Sequence, residues 1–258
     1  MRPLDRGQWR EAVERAAGWE GATLFAYGLY NNGQGLSEEL VADAQGISNI
    51  ETPAAAVRLY EAWFEQRFAG GRASLKAGLY DLNSEFDTND TGGLFLNSSH
   101  GIGPDFSQSG RNGPSIFPVT SLALRADYRL TDSWLVRAAI LDGVPGDADR
   151  PRRTAVQLGD GDGALLVAEV EYLAGRTKLA AGYWAYSARF ESVGPTAGSG
   201  TLVPRTGNDG AYLLVERQLA RFESGETRGL AGWVRVGLAE DQVNPGDLYA
   251  RGGGLVPG

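Results

Sequence analysis

The sequence predicts an antiparallel transmembrane β-barrel, and three observations predict it. Nine stretches, mostly about ten residues long, alternate apolar and polar side chains, the length and period of a tilted membrane strand. The connections between them alternate between short and long, as an up-and-down barrel with short turns at one rim and long loops at the other requires. No apolar run approaches the roughly 20 residues of a membrane helix, the longest being Ala164–Ala168, so any membrane crossing falls to strands.

The strands are read at 20–30, 55–68, 73–82, 119–130, 133–142, 163–174, 177–187, 210–220 and 229–238. The short connections are Ala69–Arg72, Thr131–Asp132, Gly175–Arg176 and roughly Arg221–Thr227; the long ones are about 31–54, 83–118, 143–162 and 188–209. In 119–130, Leu122, Leu124, Ala126 and Tyr128 share one face, and Ala123, Arg125, Asp127 and Arg129 the other. Trp134, Val136, Ala138 and Ile140 oppose Leu135, Arg137 and Ala139 in the next strand. Leu166, Ala168, Val170 and Tyr172 oppose Val167, Glu169 and Glu171, and Leu230, Val234, Val236 and Leu238 oppose Trp233 and Arg235. Aromatics on the apolar faces, near strand ends, form the expected girdles: Tyr60, Phe64, Phe68, Tyr128, Trp134 and Tyr172. Arg217 and Gln66 fit poorly, since both share a face with apolar residues. Residues 1–18 read as an N-terminal helical or irregular segment in which Asp5 could cap a short helix, and 19–258 as one partial barrel domain.

Composition narrows the function. With 37 Gly in 258 residues the chain is rich in turns. The absence of Cys excludes a disulfide framework and thiolate metal sites, and the lone His100 leaves no His cluster or catalytic triad. A formal net charge of −8 argues against nucleic acid as a partner. The carboxylate pairs Glu61/Glu65 and Glu169/Glu171 project side by side from single strands rather than flanking a bond, so no glycosidase is expected, and the Gly-rich stretches match no nucleotide-binding loop. The acid clusters Asp87–Asp90 and Asp160–Asp162 lack the twelve-residue calcium-loop pattern and read as solvated turn acids. No enzyme activity, cofactor or metal is expected.

The loop 83–118 is the most informative stretch. A structureless segment of that length in a compact domain is functional or disordered. Here polar residues interleave with Phe86, Phe95, Phe106 and Phe117, anchors that a disordered tract lacks. Two placements are open: folded inward to narrow a pore, or capping the outer rim.

The wording of this region resembles a family. GLYDLNSEF, GLFLNSS, GIGPDFSQSG and NGPSIFPVTSLALR, in this order, are similar to the carbohydrate-selective porins of the OprB type, as are GLYNNGQGLSEELVADAQGISNIE (Gly28–Glu51), RLYEAWFEQRF (Arg58–Phe68) and LDGVPGDADRPR (Leu141–Arg152). The resemblance covers roughly residues 20–250. It implies a sixteen-stranded outer-membrane porin that passes monosaccharides such as glucose by diffusion. About nine of those strands are then present, with roughly seven expected after Gly258. The odd strand count, the loop-like 252–258 and the lack of an export signal before Trp19 agree with a partial chain. The implied partners are small carbohydrate solutes and outer-membrane lipids, with a homo-oligomer left open.

The inward faces carry both signs of charge. A ring of one sign selects ions; interleaved carboxylates and cations instead offer donors and acceptors to a neutral polyhydroxylated solute. The expected lumen residues are Glu61, Trp63, Glu65, Arg67, Lys76, Arg125, Asp127 and Arg137, with Trp63 or Trp184 packing against a sugar ring. Asn83, Glu85, Asp87, Arg111 and Asn112 are expected from the constriction loop. The plainer alternative is that these charges pair with one another and stiffen the wall. A soluble or surface-exposed β-rich carbohydrate-binding protein without transport is the other functional reading.

Overall fold

The computed structural model describes residues 19–32, 48–52, 55–147, 149–156, 158–159, 161–191, 204–221, 229–241, 243–244 and 248–255. Ten strands form one antiparallel sheet in chain order: β1 (Ala22–Asn31), β2 (Ala56–Phe68), β3 (Ala73–Tyr80), β4 (Ser121–Arg129), β5 (Trp134–Asp142), β6 (Ala164–Ala174), β7 (Thr177–Glu191), β8 (Pro204–Arg221), β9 (Gly229–Ala239) and β10 (Leu248–Leu255). β1 and β10 do not pair among the described residues, so this sheet is not a closed barrel. The expected helix at 1–18 lies outside the described residues, as does most of the connection 31–54.

Two expectations are corrected. Among the described residues there are ten strands rather than nine, because β10 occupies part of what reads as a loop-like terminus. Gly252, Gly253 and Gly254 show no alternation, yet their backbones pair in register with Val234, Trp233 and Gly232. A ladder needs only N–H and C=O groups. The count in the described sheet is even, not odd. The connection expected at 188–209 is also shorter, since β7 and β8 continue pairing past a register shift near Tyr186, to Glu191 and Pro204.

Side-chain parity follows the sequence. Leu122, Leu124, Ala126 and Tyr128 are exposed on β4 while Ser121 and Arg125 are buried, and the same alternation runs through β6, β7 and β9. The exposed leucines, valines and tyrosines form one outward face, and no second layer of the described residues covers it. A water-soluble sheet would bury that face. Arg217 stands on it near the end of β8, beside the short β6–β7 turn, where a guanidinium reaches past the apolar belt. Gln66 donates to the carbonyls of Glu20 and Arg67 at the same rim.

Tyr60 is the exception among the girdle residues. The register slips between Tyr27 and Gly28, which pair with Glu61 and Leu59, leaving Tyr60 as the extra residue of a β-bulge. It is buried rather than lipid-facing, and its ring packs edge-on against Tyr27 and Phe117.

One substitution tests the outward face. Leu124 is half exposed at the middle of β4. Leu124→Arg is expected to cost about 2–4 kcal/mol in a bilayer. Urea titration of folding into lipid vesicles reads this cost directly, and a cost near zero would contradict a lipid contact.

Candidate functional site

The segment from Asp81 to Thr120 lies against the inner face of the sheet. Asp81 caps its first turn by accepting from the Asn83 amide at 3.0 Å, and Ser115 Oγ closes its base by donating to the Tyr80 carbonyl at 2.6 Å. Phe86 and Phe106 are fully buried against Leu141, Leu165, Val167, Trp184 and Tyr212. Phe106 stacks on Trp184 with centroids 5.1 Å apart and planes 2° from parallel. The long-loop half of the inner face is therefore apolar and covered. Trp184, fully buried, has no ring face open to a sugar. Two glycines permit the fit. A Cβ on Gly78 would overlap the Ala62 carbonyl across the β2–β3 ladder, and one on Gly182 would overlap the Tyr212 ring.

Below this apolar half, charged groups hold the loop. Arg125, 1% exposed, grips Glu85 of the loop through Nε at 2.6 Å and Nη2 at 2.7 Å. The same guanidinium reaches Glu65 at 3.0 Å and Asp127 at 2.8 Å, and donates to Ser74 Oγ. Lys76 adds a 2.7 Å bond to Glu85 and lies 4.3 Å from the centre of the Trp63 ring. Tyr80 also donates to Glu85, at 2.7 Å. Arg137 bridges Glu169 at 3.0 Å and Glu171 at 3.7 Å and donates to the Glu85 carbonyl. Glu169 in turn accepts from the Asp87 amide and the Tyr212 hydroxyl. Arg235 is clamped between Asp87 at 2.7 Å and Asp105 at 2.6 Å, all three essentially without solvent exposure. Lys178 donates to the Thr88 carbonyl and hydroxyl, and Glu216 accepts from the amides of Asp90 and Thr91.

The expected site residues thus divide by exposure. Glu65, Lys76, Arg125 and Asp87 are buried within the clamp, and Glu85 and Arg137 are nearly so. Glu61, Trp63, Arg67 and Asp127 keep accessible surface on the inner wall of β2 and β4. Trp63 Nε1 donates to Glu61 at 3.0 Å, and its ring stacks on Phe25 at 4.9 Å. Asn83 is spent on the loop's own turn, donating to the carbonyls of Phe86 and Asp87. Arg111 and Asn112 lie at the far side of the loop, where they donate to the carbonyls of Arg189 and Pro145.

A family model described as "Carbohydrate-selective porin, OprB family" matches residues 9–256. The chain belongs to this family. Its members are porins, not enzymes. A solved structure titled "High pH structure of Pseudomonas putida OprB" matches this OprB-family chain with a TM-score of 0.80 at 17% identity, over 94% of this chain and 61% of that one. The likeness shows a shared fold, and this chain spans about three fifths of that structure's length. No curated protein sequence matches significantly.

Loop docking in this OprB-family chain is coupled to pH through two carboxyls of opposite behaviour. Burial alone would raise Glu85, but the cations of Lys76 and Arg125 outweigh it and hold the carboxyl at about 2. Its contribution to docking is complete above the free value of 4.5 and is lost as pH falls toward 2. Asp81 runs the other way. Burial pushes it up to about 6, against the opposing hydrogen bond from Tyr60 and with the aid of the Glu61 charge. Its contribution is complete below the free value of 3.8 and is lost as pH rises through 6. Protease susceptibility of the loop is therefore expected to rise steeply below about pH 4. Asp81→Asn is expected to flatten the pH 4–6 component alone, and an unchanged profile in that variant would overturn this assignment.

Proposed function

We propose that this chain forms part of the wall and the inner loop of an outer-membrane pore for passive, carbohydrate-selective diffusion, with monosaccharides such as glucose as solutes. The observation that carries the reading is the balanced charge around the docked loop. Arg67, Lys76 and Arg125 face Glu65, Glu85 and Asp127, three of each sign. Paired off within the clamp, these charges leave little net field to select an ion, and the accessible Glu61, Trp63, Arg67 and Asp127 offer polar groups to exchange for a sugar's water. Family membership supports the same solute class. In this reading the solute meets Glu61, Trp63, Arg67 and Asp127, with the accessible edge of the Trp63 indole against the C–H groups of the sugar. The uncovered apolar outer face supports residence in a membrane rather than a soluble binding protein.

The test is uptake by vesicles reconstituted with the full-length protein. Glucose is expected to enter faster than a zwitterion of equal size. Trp63→Ala is expected to raise the half-saturating glucose concentration about fivefold, the effect of roughly 40 Å² of apolar contact at about 25 cal/mol per Å². Equal permeation of both solutes by the wild-type protein would overturn the proposal.

A further inference from the structure

The outer surface carries a feature that solute passage does not use. Arg217 on β8 pairs in register with Thr177, and the Gln218 amide donates to the Arg176 carbonyl at 3.0 Å. This brings Arg176, in the β6–β7 turn, and Arg217 to one corner of the short-turn rim. Both are exposed, and among the described residues neither side chain makes an ion pair or hydrogen bond. Their neighbour Glu216 does not offset them, because it points inward to the loop amides. The chain as a whole has a net charge of −8, so a cationic corner without a counter-charge among the described residues is a local feature rather than a background.

The same outward face sinks into an apolar furrow further up these strands. Ala168, Ala181 and Ala211 form its floor, with Tyr183 and Leu213 beside them. Leu213 lies four residues from Arg217 on one face of β8, about 13 Å along the strand. Short turns of such barrels face the periplasm, where the leaflet is built of glycerophospholipid.

We propose that this corner binds one anionic diacyl phospholipid, its phosphate between Arg176 and Arg217 and an acyl chain along the furrow. A headgroup phosphate supplies the counter-charge that the described residues do not, and the small side chains leave room for a methylene chain beside the sheet. The proposal rests on the membrane reading above but makes a separate demand, since a pore needs only an apolar belt and not a lipid of stated charge.

Native mass spectrometry of the full-length protein in detergent tests it, using phosphatidylglycerol and phosphatidylcholine with the same acyl chains. The wild-type protein is expected to retain one phosphatidylglycerol with a preference of about tenfold or more, set by two arginines near a headgroup. Arg176→Gln with Arg217→Gln is expected to bring that preference within twofold. Ala181→Phe, which fills the furrow, is expected to weaken retention of both lipids. Neither change touches the inner wall, so glucose uptake is expected to be unaltered. Equal retention of the two lipids by the wild-type protein overturns the proposal, as does a dimer formed on this face in place of lipid. If glucose uptake is normal while lipid preference is absent, only this inference fails. If the wild-type protein passes no glucose, it is the pore reading that fails.

Discussion

Arg235→Met is expected to free the loop from the wall at a cost of about 3–5 kcal/mol, the usual penalty for leaving buried carboxylates without their partner. Arg235, Asp87 and Asp105 all have side chains within 1% of complete burial, and five hydrogen bonds from the guanidinium to the two acids are 3.0 Å or shorter. Removing the cation leaves two negative charges in a pocket that also holds the Phe106 and Tyr212 rings. The measurement is thermal unfolding in detergent together with limited proteolysis between Asp87 and Asp105. Adding Asp87→Asn and Asp105→Asn to Arg235→Met removes the stranded charges, so the triple variant is expected to recover much of the loss. A triple variant no more stable than the single one would show that packing of the arginine, rather than charge, holds the loop.

Arg125→Met is expected to have a comparable effect, about 3–5 kcal/mol, through a different consequence. Here three carboxylates, Glu65, Glu85 and Asp127, lose a shared partner, while Lys76 remains beside Glu85 and Arg67 beside Glu65. The Glu85 carboxyl, held at about 2 by Lys76 and Arg125, is expected to move up, so acid release of the loop shifts to higher pH. Arg125→Lys keeps the charge but not the fork that grips Glu85 through two nitrogens, and is expected to fall between wild type and Arg125→Met. In the pore reading, both Met variants also widen the channel. Single-channel conductance is then expected to rise, with weaker discrimination between sugars. If conductance stays constant while proteolysis shows the loop released, the loop does not set the pore width.

The two arginines show how differently the site can be read from the chain. Arg125 is legible because it alternates with apolar residues on β4 and has Asp127 two positions away on the same face. Arg235 has no acid on its own strand; its partners lie 148 and 130 residues earlier. Its only local signal is a charge standing inward on an otherwise apolar β9. Arg111 and Asn112 fail in the opposite way. Their polar character marks them for a constriction, but the loop carries them to the rim, where the backbone carbonyls of Arg189 on β7 and of Pro145 after β5 take their donors. Trp184 is similar, because its parity is right and a phenylalanine from the loop covers it.

The sequence by itself determined the outward face, the strand ladder from β1 to β9 and the side on which the long connections fall. The physical reason is that an apolar solvent acts on each strand separately, so a two-residue period is imposed without reference to any partner. Tertiary structure alone decided the tenth strand, whose glycines pair through backbone and show no period, and the bulge that turns Tyr60 inward. It also decided which inward charges stay accessible and which are buried. That depends on where a 40-residue segment docks, and the docking is set by contacts between residues far apart in the chain. Such contacts leave no local pattern, so Glu65, Lys76 and Arg125 look as available in the sequence as Glu61, Trp63 and Arg67. Only the docked loop separates the groups that hold the wall from those that keep accessible surface on it.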